Sequence, residues 1–221
     1  MPRRMSPPGR PRTLIAHEQD VIREGIMACL RASRRVTVVG AARDEAQALH
    51  LAQAVHPDIA LVSTELSPAG GGRLLRALRS AAPTMNLVAV VRALTPASVA
   101  DALRAGAAGV VDEGAEAGVL LDAVPAAGSG RSLLSGPMAA ALIGRLGQTL
   151  PAAGSGRLTP RQRQILGLLA LGLSNPDIAA RLGIRPATVQ LHVRQILRRL
   201  GAVSRTQAVV LGYRLGLVHL D

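Results

Sequence analysis

The stretch NPDIAARLGIRPATVQLHVRQILRRLG, residues 175–201, has the pattern of two short helices that meet at a tight turn. Ser174 precedes it as a favourable N-cap residue, and Gly183 marks the turn between the helices. Pro186 then begins the second helix, which we expect to extend to about Leu200. The stretch predicts a helix-turn-helix, a unit that typically places its second helix in the major groove of DNA.

The helix predicted over residues 186–200 has one apolar face. At about 100° per residue, its aliphatic side chains fall within an arc of about 60°. They are Val189, Val193, Ile196 and Leu200. We expect this face to be buried against the neighbouring helices.

The opposite face of the same helix is rich in arginine and glutamine. It carries Gln190, Leu191, Arg194, Gln195 and Arg198. Arginine can form paired hydrogen bonds with guanine, glutamine can pair with adenine, and leucine can contact the methyl group of thymine. Arg185 and Arg199 lie at the margins, where the phosphates would be. A merely solvated helix would usually carry Glu as well, but residues 178–220 contain no acid. The pattern favours a DNA-reading face.

Charge is unevenly distributed along the 221 residues, whose net charge is +12. Residues 125–221 carry 12 arginines and two acids, whereas residues 13–124 carry 10 arginines and 12 acids. Residues 1–12 carry four arginines and no acid, which is typical of a disordered basic tail. A near-neutral half joined to a strongly basic half predicts a control domain followed by a domain that binds a polyanion.

Composition also indicates the cellular compartment in which we expect the protein to function. Cys29 is the single cysteine, so the chain cannot form an intrachain disulfide, which suits a reducing cytoplasm. No uninterrupted apolar run reaches the roughly 18 residues that a membrane-spanning helix needs. We expect a cytoplasmic protein that does not bind membranes.

Residues 13–124 alternate short apolar runs with helix-like segments. The predicted strands are Thr13–Ala16, Val36–Val39, Ile59–Val62, Leu87–Val91 and Gly109–Val111. The predicted helices lie at about Asp20–Arg31, Glu45–Val55, Gly72–Ser80, Pro96–Ala105 and Glu116–Val124. This alternation predicts an α/β fold, a doubly wound five-stranded parallel sheet. In such a sheet, sites gather beyond the carboxyl ends of the strands.

The rest of the chain divides into a linker and an all-helical domain. Residues 125–156 are rich in Gly, Ser and Pro and predict a linker with one short helix, Met138–Leu146. We expect Pro125 to close the preceding helix early. In the helical domain, residues 157–221, Thr159 and Gln162 form the pattern of a capping box, and Ser204 precedes a last helix that ends near Gly216.

The helical domain resembles a LuxR-type helix-turn-helix domain over its whole length of about 60 residues, from LTPRQRQILGLLALGLS to the closing GYRLGLV. The resemblance implies that four residues face the groove, namely Thr188, Gln190, Leu191 and Arg194. It also implies a dimer contact on the last helix, formed by Val209, Val210 and Tyr213. The family usually has Glu where Gln162 stands and Lys where Gln190 stands.

The first half is similar to the receiver domain of the NarL/FixJ class of response regulators, which act in two-component systems. The segments TLIAHEQDVIREGI, HPDIALVSTEL and ALRAGAAGVVDEG carry this resemblance. It implies an Asp that accepts a phosphoryl group after the third strand, an acidic pair that holds Mg²⁺, a Thr or Ser after the fourth strand, and a Lys after the fifth. These positions are occupied here by Ser63, His17 with Glu18, Arg92 (or Val91) and Glu113.

The replaced residues predict a degenerate receiver, or pseudo-receiver. A serine hydroxyl needs a base or a metal to attack a phosphodonor, and His17 with Ser63 would be poor ligands for Mg²⁺. We therefore expect no cofactor and no bound Mg²⁺. The chain is predicted to be a sequence-specific transcription regulator that acts without Asp phosphorylation. We expect it to bind double-stranded DNA as a homodimer on inverted half-sites about one helical turn apart.

Two alternatives remain open at this point. A small molecule or a partner protein would bind the degenerate pocket and control the regulator, and Arg92 would favour an anionic ligand. More remotely, the chain would be an enzyme in which Ser63 is the nucleophile, His17 the base, and Glu18 or Glu65 the residue that orients it. The turn after Ser63 lacks the pattern of a nucleophile elbow, so we expect no catalysis.

Overall fold

The computed structural model describes residues 10–128 and 158–218. In the first segment, the strands are β1 (Arg12–Ala16), β2 (Thr37–Ala42), β3 (Ile59–Ser63), β4 (Asn86–Val91) and β5 (Gly109–Asp112). The helices are α1 (Asp20–Ser33), α2 (Glu45–Ala54), α3 (Gly71–Ala81), α4 (Pro96–Arg104) and α5 (Ala117–Gly128). The sheet is parallel, with the strand order β2-β1-β3-β4-β5. This confirms the predicted doubly wound sheet.

Alternate residues of the central strands point to the two faces of the sheet. Leu14, Ala60 and Leu87 belong to the core that also contains buried side chains of α2 and α3. Ile15, Leu61 and Val88 belong to the core on the opposite face, which contains buried side chains of α1 and α5. Because helices cover both faces, the middle of each of these strands is apolar on both sides.

The amino end of β1 corrects the predicted boundary of the basic tail. Arg12 pairs with Thr37 of β2, and its backbone N–H donates to the Asp58 carboxylate (2.9 Å). Its side chain donates to the Val55 carbonyl (2.8 Å). The prediction of a tail up to residue 12 is therefore wrong at Arg12, which the sheet orders.

Helix α5 corrects the expectation that Pro125 closes it. The helix extends to Gly128 with Pro125 inside it. Proline removes one hydrogen-bond donor, but Val124 and Ala127 on either side are buried in the core formed with α1. This packing keeps the last turn helical.

The second segment is all-helical, with α6 (Pro160–Ala170), α7 (Asn175–Leu182), α8 (Pro186–Leu200) and α9 (Arg205–Arg214). Thr159 forms the predicted capping box with Gln162, and Ser174 forms one with Asp177. Ser204 caps α9 by accepting from the Gln207 N–H. Gly183 ends α7 with a left-handed backbone (φ 63°), which produces the predicted tight turn. The linker helix predicted at Met138–Leu146 lies outside the described residues.

The two segments are in contact through α4. Val99, Ala100 and Leu103 of α4 are buried in the same apolar cluster as the helix-turn-helix core. The Thr206 hydroxyl at the start of α9 donates to the Ala108 carbonyl, which precedes β5 (2.6 Å). Helix α4 is therefore shared between the receiver core and the helical domain.

Candidate nucleic-acid interface and receiver pocket

Helix α8 is held in place by the apolar face predicted from the sequence. Val189, Ile196 and Leu200 are at most 2% exposed, and Val193 packs against the same cluster while partly exposed. Pro186 begins the helix and Gly201 ends it with a left-handed backbone (φ 66°). The opposite face of α8 is consequently directed away from the core.

This outward face carries most of the predicted DNA-reading side chains. Those that are exposed are Arg185, Gln190, Leu191, Arg194 and Arg198, whereas Thr188 is half-buried. Leu191 is 52% exposed and adds an aliphatic side chain to this face. Gln190, Leu191 and Arg194 thus form one exposed row that suits the major groove, and Arg185 and Arg198 flank it.

Gln195 and Arg199 are engaged within the domain instead. Both are half-buried and contact Gln162, which is only 2% exposed. The Gln162 amide donates to the Gln195 side-chain oxygen (3.0 Å), and Arg199 donates to the Gln162 side-chain oxygen (2.9 Å). The same oxygen of Gln162 accepts from the Thr159 backbone N–H (3.0 Å). The sequence identified Gln162 only as a capping residue and gave no signal that it tethers α8.

Arg205, the first residue of α9, is hydrogen-bonded to the start of the helix-turn-helix. It donates to the Asn175 side-chain oxygen (3.0 Å) and to the Leu173 carbonyl. Burial lowers the pKa of Arg205 to about 10, because the charged form loses its hydration. The guanidinium is still charged at neutral pH and joins the start of α9 to the start of α7.

The residues of the expected dimer contact are mostly covered. Val209 and Val210 are 5% and 1% exposed and lie in the cluster that includes α4. Tyr213 is partly exposed. In this arrangement, only Tyr213 of the three is accessible to a second copy.

The receiver pocket, at the carboxyl ends of β1 and β3, is closed around its polar side chains. His17 and Ser63 are each 1% exposed. The Ser63 hydroxyl oxygen accepts from the Glu65 N–H (3.2 Å), and His17 Nδ1 accepts from the Gln19 N–H (3.1 Å). No hydrogen bond joins His17 to Ser63 in the described part of the chain. Because Nδ1 accepts from the backbone, it cannot donate to Glu18, as a catalytic triad would require.

The charged side chains at the mouth of this pocket are already paired or distant. Arg92 is exposed and donates to Glu65 (3.1 Å), so its charge is compensated. Glu113 accepts a long contact from the Gln19 amide (3.5 Å). The structure brings the five predicted residues to one edge of the sheet, but it does not leave Arg92 unpaired for an anion.

The donor set of the receiver pocket does not fit Mg²⁺, which requires several oxygen ligands in an octahedral array. The ring nitrogen of His17 and the hydroxyl of Ser63 replace carboxylates there, and Glu18 Oε2 lies 3.6 Å from His17 Nδ1. Asp58 cannot substitute, since its carboxylate binds the Arg12 N–H at the opposite end of β3. Within residues 10–128 and 158–218, no group of three or more His, Cys, Asp or Glu is arranged to hold a metal ion.

Comparison with known proteins assigns each half of the chain to a domain family. Residues 13–124 match the model of the response regulator receiver domain. Residues 156–211 match the model of bacterial regulatory proteins of the luxR family. The chain is a LuxR-family response regulator.

Relatives cover nearly its whole length. The chain is 34% identical to the DNA-binding transcriptional activator DevR/DosR of Mycobacterium tuberculosis over 90% of this chain and 92% of that protein. It is 32% identical to the probable transcriptional regulatory protein NarL of the same species over 91% and 93% of the two chains. The crystal structure of response regulator ChrA, from a heme-sensing two-component system, has a TM-score of 0.50 and 30% identity, with coverage of 95% and 99%.

These relatives confirm the predicted class of protein. LuxR-family response regulators are DNA-binding transcriptional regulators and not enzymes, so the remote hydrolase alternative at Ser63 is set aside. Among the described residues, no helix has the length and apolarity needed to cross a bilayer.

Proposed function

We propose that this response regulator recognises specific sequences in double-stranded DNA through the outward row of α8. The observation that carries the proposal is that Gln190, Leu191 and Arg194 stand exposed on a helix whose opposite face is anchored in the core. No acid occurs between residues 178 and 220 to repel phosphates. Arg185 and Arg198 flank the row and would bind the backbone of the duplex.

We further propose that binding does not depend on phosphorylation of the receiver, and that the receiver needs no Mg²⁺. Ser63 is buried, and its oxygen is occupied by a backbone donor. The chain has no Lys to sense a phosphoryl group, and Glu113 occupies that position. The activity would then be set by the amount of protein or by an effector. We place this regulator in the cytoplasm, where Cys29 would stay reduced.

Binding as a homodimer on inverted half-sites is the third part of the proposal. Val209 and Val210 are covered while α9 packs against α4, so a dimer through α9 requires the helical domain to move away from α4. Tyr213, which is already accessible, would make the first contact between two copies.

Footprinting of the full chain on genomic fragments that it retains at modest ionic strength tests this function. We expect two protected half-sites whose centres lie about one helical turn apart, roughly 10 base pairs. Failure to retain any fragment in preference to random DNA would overturn sequence-specific binding. A single protected half-site with one copy bound would overturn the homodimer.

A further inference from the structure

A cavity of about 740 Å³ lies between α3 and α4, beside the receiver pocket but separate from His17 and Ser63. Val91 and Ala102, both 2% exposed, form part of its lining. The loop after β3 and the first turn of α3, residues 64–73, form one wall. Its volume is within the range of cavities that bind small organic molecules. The sequence did not indicate this cavity.

The wall at the start of α3 depends on glycine. A Cβ on Gly71 would lie 2.5 Å from the Thr64 backbone, so the loop can approach α3 only where there is no side chain. Gly70 has a left-handed backbone (φ 91°). The loop is closed by two backbone hydrogen bonds, from the Gly70 N–H to the Ser67 carbonyl (2.9 Å) and from the Arg73 N–H to the Gly70 carbonyl (3.0 Å).

The charges around the cavity leave two arginines uncompensated. Five charged residues line it: Glu65, Arg73, Arg76, Asp101 and Arg104. Glu65 is paired with Arg92, which lies outside the lining, and Asp101 is paired with Arg104. No ion pair engages Arg73 or Arg76 within residues 10–128 and 158–218.

Arg73 and Arg76 are placed to act together. They are three residues apart on α3, so their side chains share one side of the helix. Arg76 Nη1 lies 3.5 Å from the position of a Cβ on Gly72, so the guanidinium folds over the glycine. Two unpaired guanidiniums that line one cavity favour an oxyanion.

Helix α4 connects this cavity to the helical domain. Ser98, Asp101 and Ala102 face the cavity, whereas Val99, Ala100 and Leu103 are buried against the helix-turn-helix core. At about 100° per residue, these two sets lie on opposite sides of α4. A ligand that shifts or fixes α4 would therefore act directly on the contact with the helical domain.

We propose that the cavity between α3 and α4 binds a small organic oxyanion, whose phosphate or carboxylate group is held by Arg73 and Arg76. Its binding changes DNA affinity through α4. The ligand site is inferred from the cavity and its charges alone, whereas the effect of the ligand on DNA binding rests on the proposed function. In this proposal the ligand binds the state in which α4 and α9 are in contact more tightly, so it stabilises this contact and weakens DNA binding that requires α9 to be free.

Calorimetric titration of the full chain tests the ligand site without DNA. The probes are ribose 5-phosphate for the phosphate group, malonate for the carboxylate group, and ribose as the uncharged control. We expect one or both anions to bind with a Kd of about 1 mM or lower and ribose not to bind. Binding of only one anion identifies the group that the site selects, whereas binding of neither overturns the site.

Matched variants locate the binding. The double variant Arg73→Gln, Arg76→Gln should weaken the anion about tenfold or more, since charge-assisted hydrogen bonds are lost. Arg31→Gln, an exposed arginine of α1 far from the cavity lining, is the control and should leave the Kd unchanged. Equal binding by the double variant would overturn the assignment to Arg73 and Arg76.

The effect on DNA is measured with the anion that binds. At saturating anion, the Kd for the footprinted site should rise about fivefold or more in the wild type and stay constant in the double variant. An unchanged Kd in the wild type would overturn the coupling but not the ligand site. Loss of DNA binding without any anion would instead be a failure of the proposed function.

Discussion

The carboxyl end of β3 and the outward face of α8 both concentrate polar side chains, but they use them differently. At β3, Ser63 is 1% exposed and accepts a hydrogen bond from its own loop, and Arg92 is paired with Glu65. On α8, the side chains of Gln190 and Arg194 are exposed, and no hydrogen bond engages them within the described ranges. Polar groups satisfied by their own chain maintain the fold, whereas groups held outward by a buried opposite face remain available to a partner.

The largest effect is expected on stability, and it should differ between the buried and the exposed face of α8. Ile196→Ala removes a fully buried side chain and should lower the free energy of unfolding by about 2–5 kcal/mol. Leu191→Ala, on the exposed face, should leave stability within about 0.5 kcal/mol of the wild type. Urea denaturation followed by circular dichroism measures both. Equal destabilisation by the two variants would contradict the orientation of the helix.

Arg194 tests whether the outward row reads bases. Arg194→Ala should weaken binding to the specific site by about 1–3 kcal/mol and relax selectivity at one base pair. The measurement is a competition titration against sites mutated at each position, with Arg31→Ala as the control. An unchanged pattern of base preference would show that another face of the protein contacts DNA.

Arg198 and Arg199 distinguish an arginine that contacts DNA phosphate from one that stabilises the domain. Arg198 is exposed, so Arg198→Ala should weaken binding to all sequences alike and reduce the salt slope by roughly 1. Arg199 binds the buried Gln162, so Arg199→Ala should lower stability as well as affinity. Titrations at several salt concentrations, combined with thermal unfolding, distinguish the two. Identical behaviour of both variants would contradict this division.

The smallest effects are expected at the receiver pocket. Ser63→Ala loses one hydrogen bond and should cost about 0.5–1.5 kcal/mol of stability, with DNA affinity unchanged. Ser63→Asp restores the acceptor residue of the family but not the acidic pair or the Lys. It should therefore gain no phosphoryl group from acetyl phosphate, as measured by intact mass. A stable gain of one phosphoryl group by Ser63→Asp would show that the rest of the site still functions.

Local signals predicted most of the architecture. Thr159, Ser174 and Ser204 begin their helices as expected, because capping depends only on neighbouring residues. The strand predicted at Val36–Val39 begins one residue later, at Thr37, and continues to Ala42 through Gly40, where a Cβ would lie only 3.2 Å from the Leu14 side chain of β1. Glycine usually weakens a strand, so only the tertiary contact could reveal this extension.

The parts that the sequence missed depend on distant residues. The tether from Gln162 to α8 joins side chains 33 and 37 residues apart, and the contact of Thr206 with Ala108 spans 98 residues. The cavity between α3 and α4 likewise needs two helices to be placed side by side. One local feature of the cavity is visible in the sequence, namely the pair Arg73 and Arg76 that follows three glycines.

In the proposed function, α8 binds its DNA site while the receiver carries no phosphoryl group. The direct test is the Kd of the full chain for its footprinted site, measured before and after incubation with acetyl phosphate and Mg²⁺. We expect tight, sequence-selective binding from the start and the same Kd afterwards. Binding that is weak at first and strengthens tenfold or more after incubation would contradict it.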